Sequence, residues 1–518
     1  MRADSGNGYG AIRTESGRRR LAEIVPALCL AALALPWSLD VGAAETSPQV
    51  TRQLELTDCR LSSRQSPRTV AARCGTLEVP EDPARPGGKQ IALQVAVVPA
   101  LDRTAKTAPV FLIAGGPGQG ARESFAPILG AFSRLQRQHD LVMVDQRGTG
   151  GSNALQCDLP EDVAEQDSPP TPAEVGALVK ACLAQLPGDP RFYTTSVAVR
   201  DLDAVRQALG YPQVNLYGIS YGSRVAQHYA RKYPDHTRAV VIDGVVPPGL
   251  ALGPDLALVA QRVLEDAFNR CEADTACRRA YPGLRENFSR LVARLRTAAQ
   301  TVTLNDPVTG KPVTHKFTLD RLGTAVRLLS YSPASMSLLP FLMAEAAANR
   351  PGPLLAQALA VTRDLGDQMA PGMHNAVVCT EDLPFLAEAA IDRVALGKTY
   401  LGTRTLEGLE SSCAVWPRGL LDTDLRQPLK SKVPFLLLSG TADPVTPPAY
   451  AERAKPGLAD ALHVAVKGNG HGQWNVPCAP RVIADFITAG TARGLDVKCL
   501  QQADLTQPFF LDANGTAP

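Results

Sequence analysis

Short, continuously apolar runs that end near glycines recur in the first half of the chain and again close to its C-terminus. Helical patterns separate them, such as residues 197–210, which end at Gly210. Runs that are apolar throughout are typical of strands covered on both faces, so the pattern predicts an α/β fold with a mostly parallel central sheet and helices on both faces. The predicted strand regions are 91–100, 109–116, 141–148, 214–220, 239–248, 433–445 and 462–472.

The alternation of strands and helices stops between residues 249 and 432. Long helical patterns dominate this interval, and residues 301–317 predict two short strands around a turn with proline and glycine. We therefore predict a sheet domain built from residues 45–248 and 433–518. A large, mainly helical insertion over residues 249–432 interrupts it.

The N-terminus has the pattern of an export signal. Arg18, Arg19 and Arg20 precede an apolar run over residues 24–35, and small residues follow up to Ala44. This order predicts a signal peptide over residues 1–44, and a twin-arginine route stays open. The apolar run is shorter than the ~20 residues that a membrane-spanning helix needs. We expect a periplasmic or secreted protein with no stable membrane span after cleavage.

The cysteines fit an oxidising compartment. Eleven are present, and removal of Cys29 with the signal leaves ten, which fall into neighbouring couples. No CxxC motif occurs and no histidine lies at ligand spacing from a couple, so we expect disulfides rather than a metal site. The predicted pairs are Cys59 with Cys74, Cys157 with Cys182, Cys271 with Cys277, Cys379 with Cys413, and Cys478 with Cys499.

The balance of charges argues against one class of partner. The 518 residues include 53 lysines and arginines against 51 acidic residues, without a long block of either sign. An extended surface for polyanions is not indicated, so nucleic acid is not an expected partner.

Ser220 lies in a GxSxG motif, Gly218 to Gly222, between a strand pattern and a helical pattern. A strand that enters and a helix that leaves are the setting of a nucleophile elbow, in which a sharp turn exposes the serine hydroxyl. In a glycine turn without that setting, the serine would be only a small residue. Here the sequence predicts a nucleophile.

A serine nucleophile needs a histidine base and a carboxylate that orients it. Of the seven histidines, His471 lies in the glycine-rich loop GNGHG after the last predicted strand. Asp443 directly follows the strand before it, and Asp243, at the end of an earlier strand, is the alternative acid. The order Ser220, Asp443, His471 is that of an α/β-hydrolase triad.

Two backbone amides are candidates for the oxyanion hole. One is the amide of Tyr221, next after the nucleophile, and the other is Gly116 in the loop AGGPGQG after an early strand. A phosphate loop is the alternative for this glycine-rich stretch, but it lacks the lysine and the spacing of such loops.

The motifs GGPGQG, DQRGTGGS, YGISYGS, GTADPVTPP and GNGHG together resemble the α/β-hydrolase family of prolyl iminopeptidases and tripeptidyl aminopeptidases, over about residues 59–499. The resemblance is strongest to the secreted tripeptidyl branch with its TAP-like C-terminal segment, because Ala114 stands where prolyl iminopeptidases have histidine. It implies a Ser220, Asp443 and His471 triad, a helical cap made by the insertion, and no cofactor.

The expected activity is hydrolysis of peptides from a free N-terminus through an acyl-enzyme. A carboxylesterase that cleaves small esters with the same residues is the alternative, and a non-catalytic binding protein of this fold is a third possibility. An aminopeptidase must bind the substrate's ammonium group, most simply with a carboxylate. The candidates are Glu381 and Asp382 beside Cys379, and Glu123 near the oxyanion loop; a solvated acidic pair is the alternative for the first two.

Overall fold

A nine-stranded mixed sheet forms the centre of the protein in the computed structural model, which describes residues 54–63, 66–157, 170–388 and 391–511. The strand order is β1-β2-β3-β5-β4-β6-β7-β10-β11. The strands are β1 Thr57–Ser63, β2 Ser66–Pro80, β3 Gln90–Val98, β4 Val110–Ile113, β5 Leu141–Val144, β6 Val214–Ile219, β7 Thr237–Asp243, β10 Phe435–Gly440 and β11 Ala461–Val466.

The part of the sheet that carries the loops of interest is parallel. Strands β5, β4, β6, β7, β10 and β11 pair in parallel, so their C-terminal ends share one edge. The α/β fold with a mostly parallel sheet, predicted from the apolar runs, is confirmed. The antiparallel strands β1 and β2 were not predicted, because the polar and half-exposed residues of β1 do not form an apolar run.

Both faces of the sheet are covered, which explains the continuous apolar runs. In β4, Phe111 and Ile113 belong to one buried cluster, whereas Val110 and Leu112 belong to the cluster on the opposite face. Since successive side chains of a strand alternate between its faces, a strand buried on both sides has to be apolar at every position.

Helices of the sheet domain flank these strands. Before the insertion they are α1 Ala121–Phe125, α2 Ser133–Gln136, α3 Pro172–Gln185, α4 Thr195–Ala208 and α5 Tyr221–Lys232; after it they are α16 Pro448–Ala454, α17 Ala479–Ala489 and α18 Lys498–Gln502. α5 begins directly after Ser220 and is buried along most of its length.

Between β7 and β10 the chain is mainly helical and supplies nearly all residues of a separate hydrophobic cluster, which Phe509 joins. The predicted pair of short strands is present there as the hairpin β8 Gln300–Asn305 and β9 Pro312–Phe317. The helices are α6 Leu256–Ala273, α7 Thr275–Ala280, α8 Leu284–Thr297, α9 Leu319–Leu329, α10 Pro333–Met336, α11 Leu339–Ala347, α12 Gly352–Gln368, α13 Pro371–Val377, α14 Arg393–Lys398 and α15 Arg404–Cys413, with a π-helix at Val378–Asp382.

Five disulfides join the ten cysteines in the neighbouring couples expected from the sequence. The predicted signal peptide and Cys29 lie outside the described residues. Among the helices of the described ranges, none has the length and apolar character needed to cross a bilayer.

Candidate active site

Ser220 occupies a strained turn between β6 and α5. Its backbone has φ 56° and ψ −125°, a conformation that non-glycine residues rarely adopt. A Cβ atom added at Gly218 would lie 2.3 Å from the Gly222 carbonyl oxygen, and one added at Gly222 would lie 2.4 Å from the Ile113 carbonyl oxygen. Both glycines of the motif are therefore required sterically, as in a nucleophile elbow.

The two candidate oxyanion donors belong to segments that lie close to Ser220. The loop after β4 passes so close that a Cβ added at Gly115 would lie 3.1 Å from the Ser220 Cβ, and the next residue, Gly116, lines the same cavity as Ser220. Tyr221 is the first residue of α5, and amides in the first turn of a helix have no acceptor within that helix. The arrangement suits an oxyanion hole.

Asp443 and His471 meet at the same sheet edge because they follow the adjacent parallel strands β10 and β11. His471 Nδ1 lies 2.8 Å from Asp443 Oδ2. Asp443 Oδ1 accepts hydrogen bonds from the amides of Val445 at 2.8 Å and Thr446 at 2.9 Å, and the Thr446 hydroxyl donates to Oδ2 at 2.7 Å. The carboxylate is thus buried and fully hydrogen-bonded while it holds the ring.

The electrostatics of this pair favour an ionised acid beside a basic imidazole. Burial alone would raise the Asp443 pKa, but the His471 ring and the Thr446 hydrogen bonds outweigh it and lower that pKa. For His471, burial would lower the pKa, whereas the Asp443 charge and hydrogen bond raise it above the usual 6.5. An imidazolium formed during a reaction would be stabilised in the same way.

Asp243, the alternative acid, has other partners. Its carboxylate accepts hydrogen bonds from the Tyr217 hydroxyl at 2.7 Å and from the Gln473 amide at 2.7 and 2.9 Å. Burial raises the pKa of Asp243 to about 6. Its carbonyl oxygen accepts from the Ser220 amide at 2.9 Å. Asp243 therefore forms hydrogen bonds with the segments around the site, while Asp443 is the carboxylate that contacts His471.

Ser220 and His471 open into a cavity of about 510 Å³. The loops of the sheet domain form one side, and the segment between β7 and β10 supplies the rest of its wall. Much of that wall is apolar, and it includes Leu250, Leu252, Leu328, Leu365, Met369 and Leu409.

Charged side chains in the cavity wall were not predicted from the sequence. They are Asp255, at the start of α6, and Arg327, on α9. Asp255 Oδ2 accepts a hydrogen bond from the Tyr450 hydroxyl at 3.1 Å, and no salt bridge to Asp255 or Arg327 is formed within the described part of the chain. No motif surrounds either residue, so the sequence could not separate them from ordinary helix-surface charges.

His374, on α13, also lines the cavity. Burial lowers its pKa, and the ring stands near the Pro117 carbonyl of the oxyanion loop. α13 is joined to that loop by a hydrogen bond from the Ala370 amide to the Gly118 carbonyl at 2.9 Å. One helix outside the sheet domain therefore contacts the loop that carries the candidate oxyanion donor.

Glu381 and Asp382, predicted to bind the substrate's N-terminus, do not line the cavity. Both are fully buried, and Asp382 pairs with Arg224 at 2.9 Å. Glu381 accepts from the Thr195 amide at 2.6 Å and from its hydroxyl at 2.8 Å, and burial raises the pKa of Glu381 to about 7. Their hydrogen-bonding capacity is used inside the protein, so the structure does not support the expectation.

Glu123, the third residue predicted to bind the substrate, lies on α1 and is half-buried. It is also absent from the cavity wall. Proximity to the oxyanion loop in sequence did not bring its side chain to the cavity.

One group of described residues has ligand atoms close enough for a metal ion: His228, Asp422 and Asp424 lie within 4.8 Å of one another. Cations of the protein already accompany these acids, with Lys232 3.4 Å and Arg200 3.3 Å from Asp422. They offset the acidic charge that would attract a metal, and this group lies outside the cavity wall.

Family models match two parts of the chain. Residues 108–281 match an α/β-hydrolase fold, and residues 398–499 match a TAP-like protein. The first segment contains Ser220, and the second contains both Asp443 and His471.

Curated relatives cover most of the chain. Serine protease Hip1 of Mycobacterium tuberculosis is 27% identical over 533 aligned positions, which span 95% of this chain and 94% of the relative. Carboxylesterase B of the same organism is 30% identical over 440 positions, which span 78% of this chain and 82% of that protein. Tripeptidyl aminopeptidase of Streptomyces lividans is 31% identical over 191 positions, or 34% of this chain and 36% of the relative.

These relatives include a protease, a tripeptidyl aminopeptidase and a carboxylesterase, so they agree on serine hydrolase chemistry and differ in the bond named. The resemblance noted in the sequence motifs is confirmed. The chain belongs to the α/β-hydrolase family of serine hydrolases and carries its TAP-like C-terminal segment.

Proposed function

We propose that this protein is an exported serine aminopeptidase that releases tripeptides or other short N-terminal fragments. The observation that carries the proposal is a carboxylate, Asp255, in the wall of the cavity that holds Ser220 and His471. A peptide's free N-terminus is an ammonium group, and a carboxylate in a partly dry pocket is its simplest partner.

Asp255 is suited to this role because its charge is not used elsewhere. It precedes α6, yet its side chain makes no capping hydrogen bond to that helix. The Tyr450 hydroxyl fixes one carboxylate oxygen, which leaves the other available to a ligand. Tyr450 belongs to α16, shortly after Asp443, so the same segment positions the acid of the triad and the proposed ammonium-binding group.

The proposed reaction follows from the triad geometry. The Ser220 hydroxyl comes within hydrogen-bond distance of His471 and attacks the substrate carbonyl. The His471 ring takes the proton of this hydroxyl. Asp443 stabilises the imidazolium through Nδ1. The amides of Gly116 and Tyr221 stabilise the oxyanion. His471 then protonates the leaving amine, and water, activated by the same ring, releases the acyl group. No cofactor takes part.

The proposal includes a cap over the active site and export of the protein. Residues 249–432 act as a cap, because they supply much of the wall of the cavity that Ser220 lines. Export through a signal peptide over residues 1–44 accords with the five disulfides, which persist in oxidising compartments.

A carboxylesterase is the second candidate. The apolar wall formed by leucines such as Leu250 and Leu365 suits the acyl chain of a small ester, and the triad does not select the leaving atom. The two candidates differ in what Asp255 contributes, since an uncharged ester has no ammonium group to bind.

Three substrates separate these candidates: a tripeptidyl anilide with a free N-terminus, its N-acetylated twin, and a short-chain ester. We expect the mature protein to cleave the free peptide with kcat/KM roughly 100-fold above that for the blocked twin, since loss of a charge-assisted contact leaves Asp255 unpaired. Equal cleavage of the two peptides would refute the aminopeptidase proposal, and turnover of the ester alone would favour the esterase.

The variant Asp255→Asn links this preference to one residue. It should raise KM for the free peptide by roughly 10- to 100-fold and leave ester hydrolysis nearly unchanged. Asp266→Asn, on an exposed position of the same helix, is the matched control and should behave like the wild type.

A further inference from the structure

Arg327 is a cation in the cavity wall that the proposed reaction has not used. Its Nη1 donates to the Tyr331 hydroxyl at 2.9 Å, and the guanidinium lies 5.8 Å from the centroid of that ring. Within the described ranges, no carboxylate lies within 4.0 Å of it. A half-buried arginine without an anionic partner, in a largely apolar cavity wall, is available to a ligand that supplies the negative charge.

The position of Arg327 relative to His471 indicates which part of a substrate it meets. Tyr331 packs edge-on against the His471 ring with 5.1 Å between centroids, and its carbonyl accepts from the His471 amide at 2.8 Å. Arg327 is thus separated from the catalytic base by one side chain. Its charge also acts on the base, since it opposes the rise of the His471 pKa.

His471 must hand its proton to the leaving atom, so the leaving group has to lie beside this ring. The acyl group, in contrast, is held by the oxyanion loop around Gly116. Arg327 contacts Tyr331, which in turn contacts His471, and both Arg327 and Tyr331 line the cavity. From these contacts we infer that Arg327 is nearer to the leaving group than to the acyl group.

We propose that Arg327 selects substrates whose leaving group carries a carboxylate, either the C-terminal carboxylate of a short peptide or an acidic side chain just after the cleaved bond. This deepens the proposed function and rests on Ser220 and His471 as its nucleophile and base. In the aminopeptidase reaction Asp255 would bind the ammonium end and Arg327 the anionic end, so short peptides with both charges would be preferred.

A bound carboxylate would also help the base. It neutralises the positive field of Arg327, which otherwise disfavours the imidazolium that forms on His471 in the transition state. Arg327 is therefore a specificity-determining residue that influences kcat as well as KM, because its charge is neutralised only when the substrate carries the anion.

A purely structural role for Arg327 is the alternative, in which it supports Tyr331 and through it the His471 ring. The two roles differ in one respect. Loss of support would lower the turnover of every substrate, whereas loss of selection would lower only that of substrates with a carboxylate.

The test compares pairs of substrates that differ only in the charge of the leaving group. For peptides the pairs are Ala-Ala-Ala-Ala with a free or an amidated C-terminus, and amidated Ala-Ala-Ala-Asp against Ala-Ala-Ala-Asn. For esters the pair is 4-(carboxymethyl)phenyl acetate against its carboxamide. We expect the charged member to have about tenfold higher kcat/KM, the size of one charge-assisted hydrogen bond. The peptide pair with the larger ratio identifies the source of the carboxylate.

Arg327→Gln should remove this preference by slowing the charged substrates without slowing their neutral twins, and Arg327→Lys should keep part of it. Arg350→Gln, an exposed arginine paired with Glu345 outside the cavity, is the control. Equal rates of the wild type on every pair, or an equal loss on charged and neutral twins in Arg327→Gln, would overturn the proposal. If peptides are not cleaved but the ester pair shows the preference, the aminopeptidase assignment fails and that of Arg327 stands.

Discussion

Two groupings of a serine, a histidine and a carboxylate have their histidine on β11 or in the loop after it, and only one of them has the properties of a catalytic centre. In the first, His471 binds Asp443 and shares a cavity with Ser220. In the second, His463 Nε2 lies 2.6 Å from Ser439 Oγ, and its Nδ1 lies 2.6 Å from Glu452 Oε1. By connectivity alone, the second grouping is the more complete serine–histidine–carboxylate chain.

Burial separates the two groupings. Asp443 is fully buried and the His471 side chain is 11% exposed, so the acid is dry and the base borders the cavity. In the second grouping Ser439 is fully buried near the end of β10, while the Glu452 side chain is 61% exposed. A nucleophile has to be reached by substrate and its acid has to be shielded from water. In the second grouping the serine is buried and the carboxylate is exposed, so neither requirement is met.

The largest expected difference between the groupings concerns their serines. Ser220→Ala should lower kcat by roughly 10⁶, because the nucleophile itself is lost and only binding and the oxyanion donors remain. Ser439→Ala should leave kcat and KM close to those of the wild type. Turnover of the preferred substrate, with active-site titration by a serine-directed fluorophosphonate, measures both.

The fluorophosphonate gives an independent readout of this prediction. It should label the wild type and Ser439→Ala once per chain, and fail to label Ser220→Ala. Labelling that survives in Ser220→Ala and disappears in Ser439→Ala would reverse the assignment.

The second largest difference is expected when the carboxylates of the two groupings are replaced, and it concerns both kcat and the pH dependence of kcat/KM. Asp443→Asn should lower kcat on the order of 10⁴, because the amide cannot stabilise the imidazolium. In the wild type, kcat/KM should fall as the pH drops through a value above 6.5, since the raised pKa of His471 marks the loss of the neutral base. Removal of the Asp443 charge should move this inflection to lower pH.

Glu452→Gln is the matched variant for the second grouping. Its exposed carboxylate contacts His463 and not the base of the cavity, so kcat and the pH inflection should stay where they are. An inflection that moves in Glu452→Gln and stays fixed in Asp443→Asn would contradict the role assigned to Asp443.

Sequence patterns were sufficient for those features that local chemistry determines. The apolar runs located β3, β4, β5, β6, β7, β10 and β11, because strands covered on both faces are mostly apolar. The elbow at Ser220 was readable because close backbone approach excludes any side chain at Gly218 and Gly222. The catalytic roles of Ser220, Asp443 and His471 stay predictions, although the structure brings them to one sheet edge.

The charged residues of the cavity wall could not be predicted, because their placement depends on long-range packing. Glu381 and Asp382 looked available in the sequence, but Arg224, 157 positions before Glu381, pairs with both. Asp255 had no motif, and only the fold shows that it faces the cavity. Whether a carboxylate is free or internally paired is decided by residues that are far apart in the chain.

The smallest expected effect concerns stability, where the second grouping should matter. Ser439→Ala removes the hydroxyl that contacts His463 Nε2, and the His463 side chain is only 5% exposed, so a ring nitrogen is left without its partner. Such a loss costs about 1–3 kcal/mol and should lower Tm by a few degrees. Glu452→Gln should lower Tm less, because water replaces the contact of an exposed carboxylate. Calorimetry of the disulfide-bonded mature protein measures both. A stability unchanged in Ser439→Ala would mean that the hydrogen bond between β10 and β11 adds nothing, and that the second grouping has neither a catalytic nor a structural role.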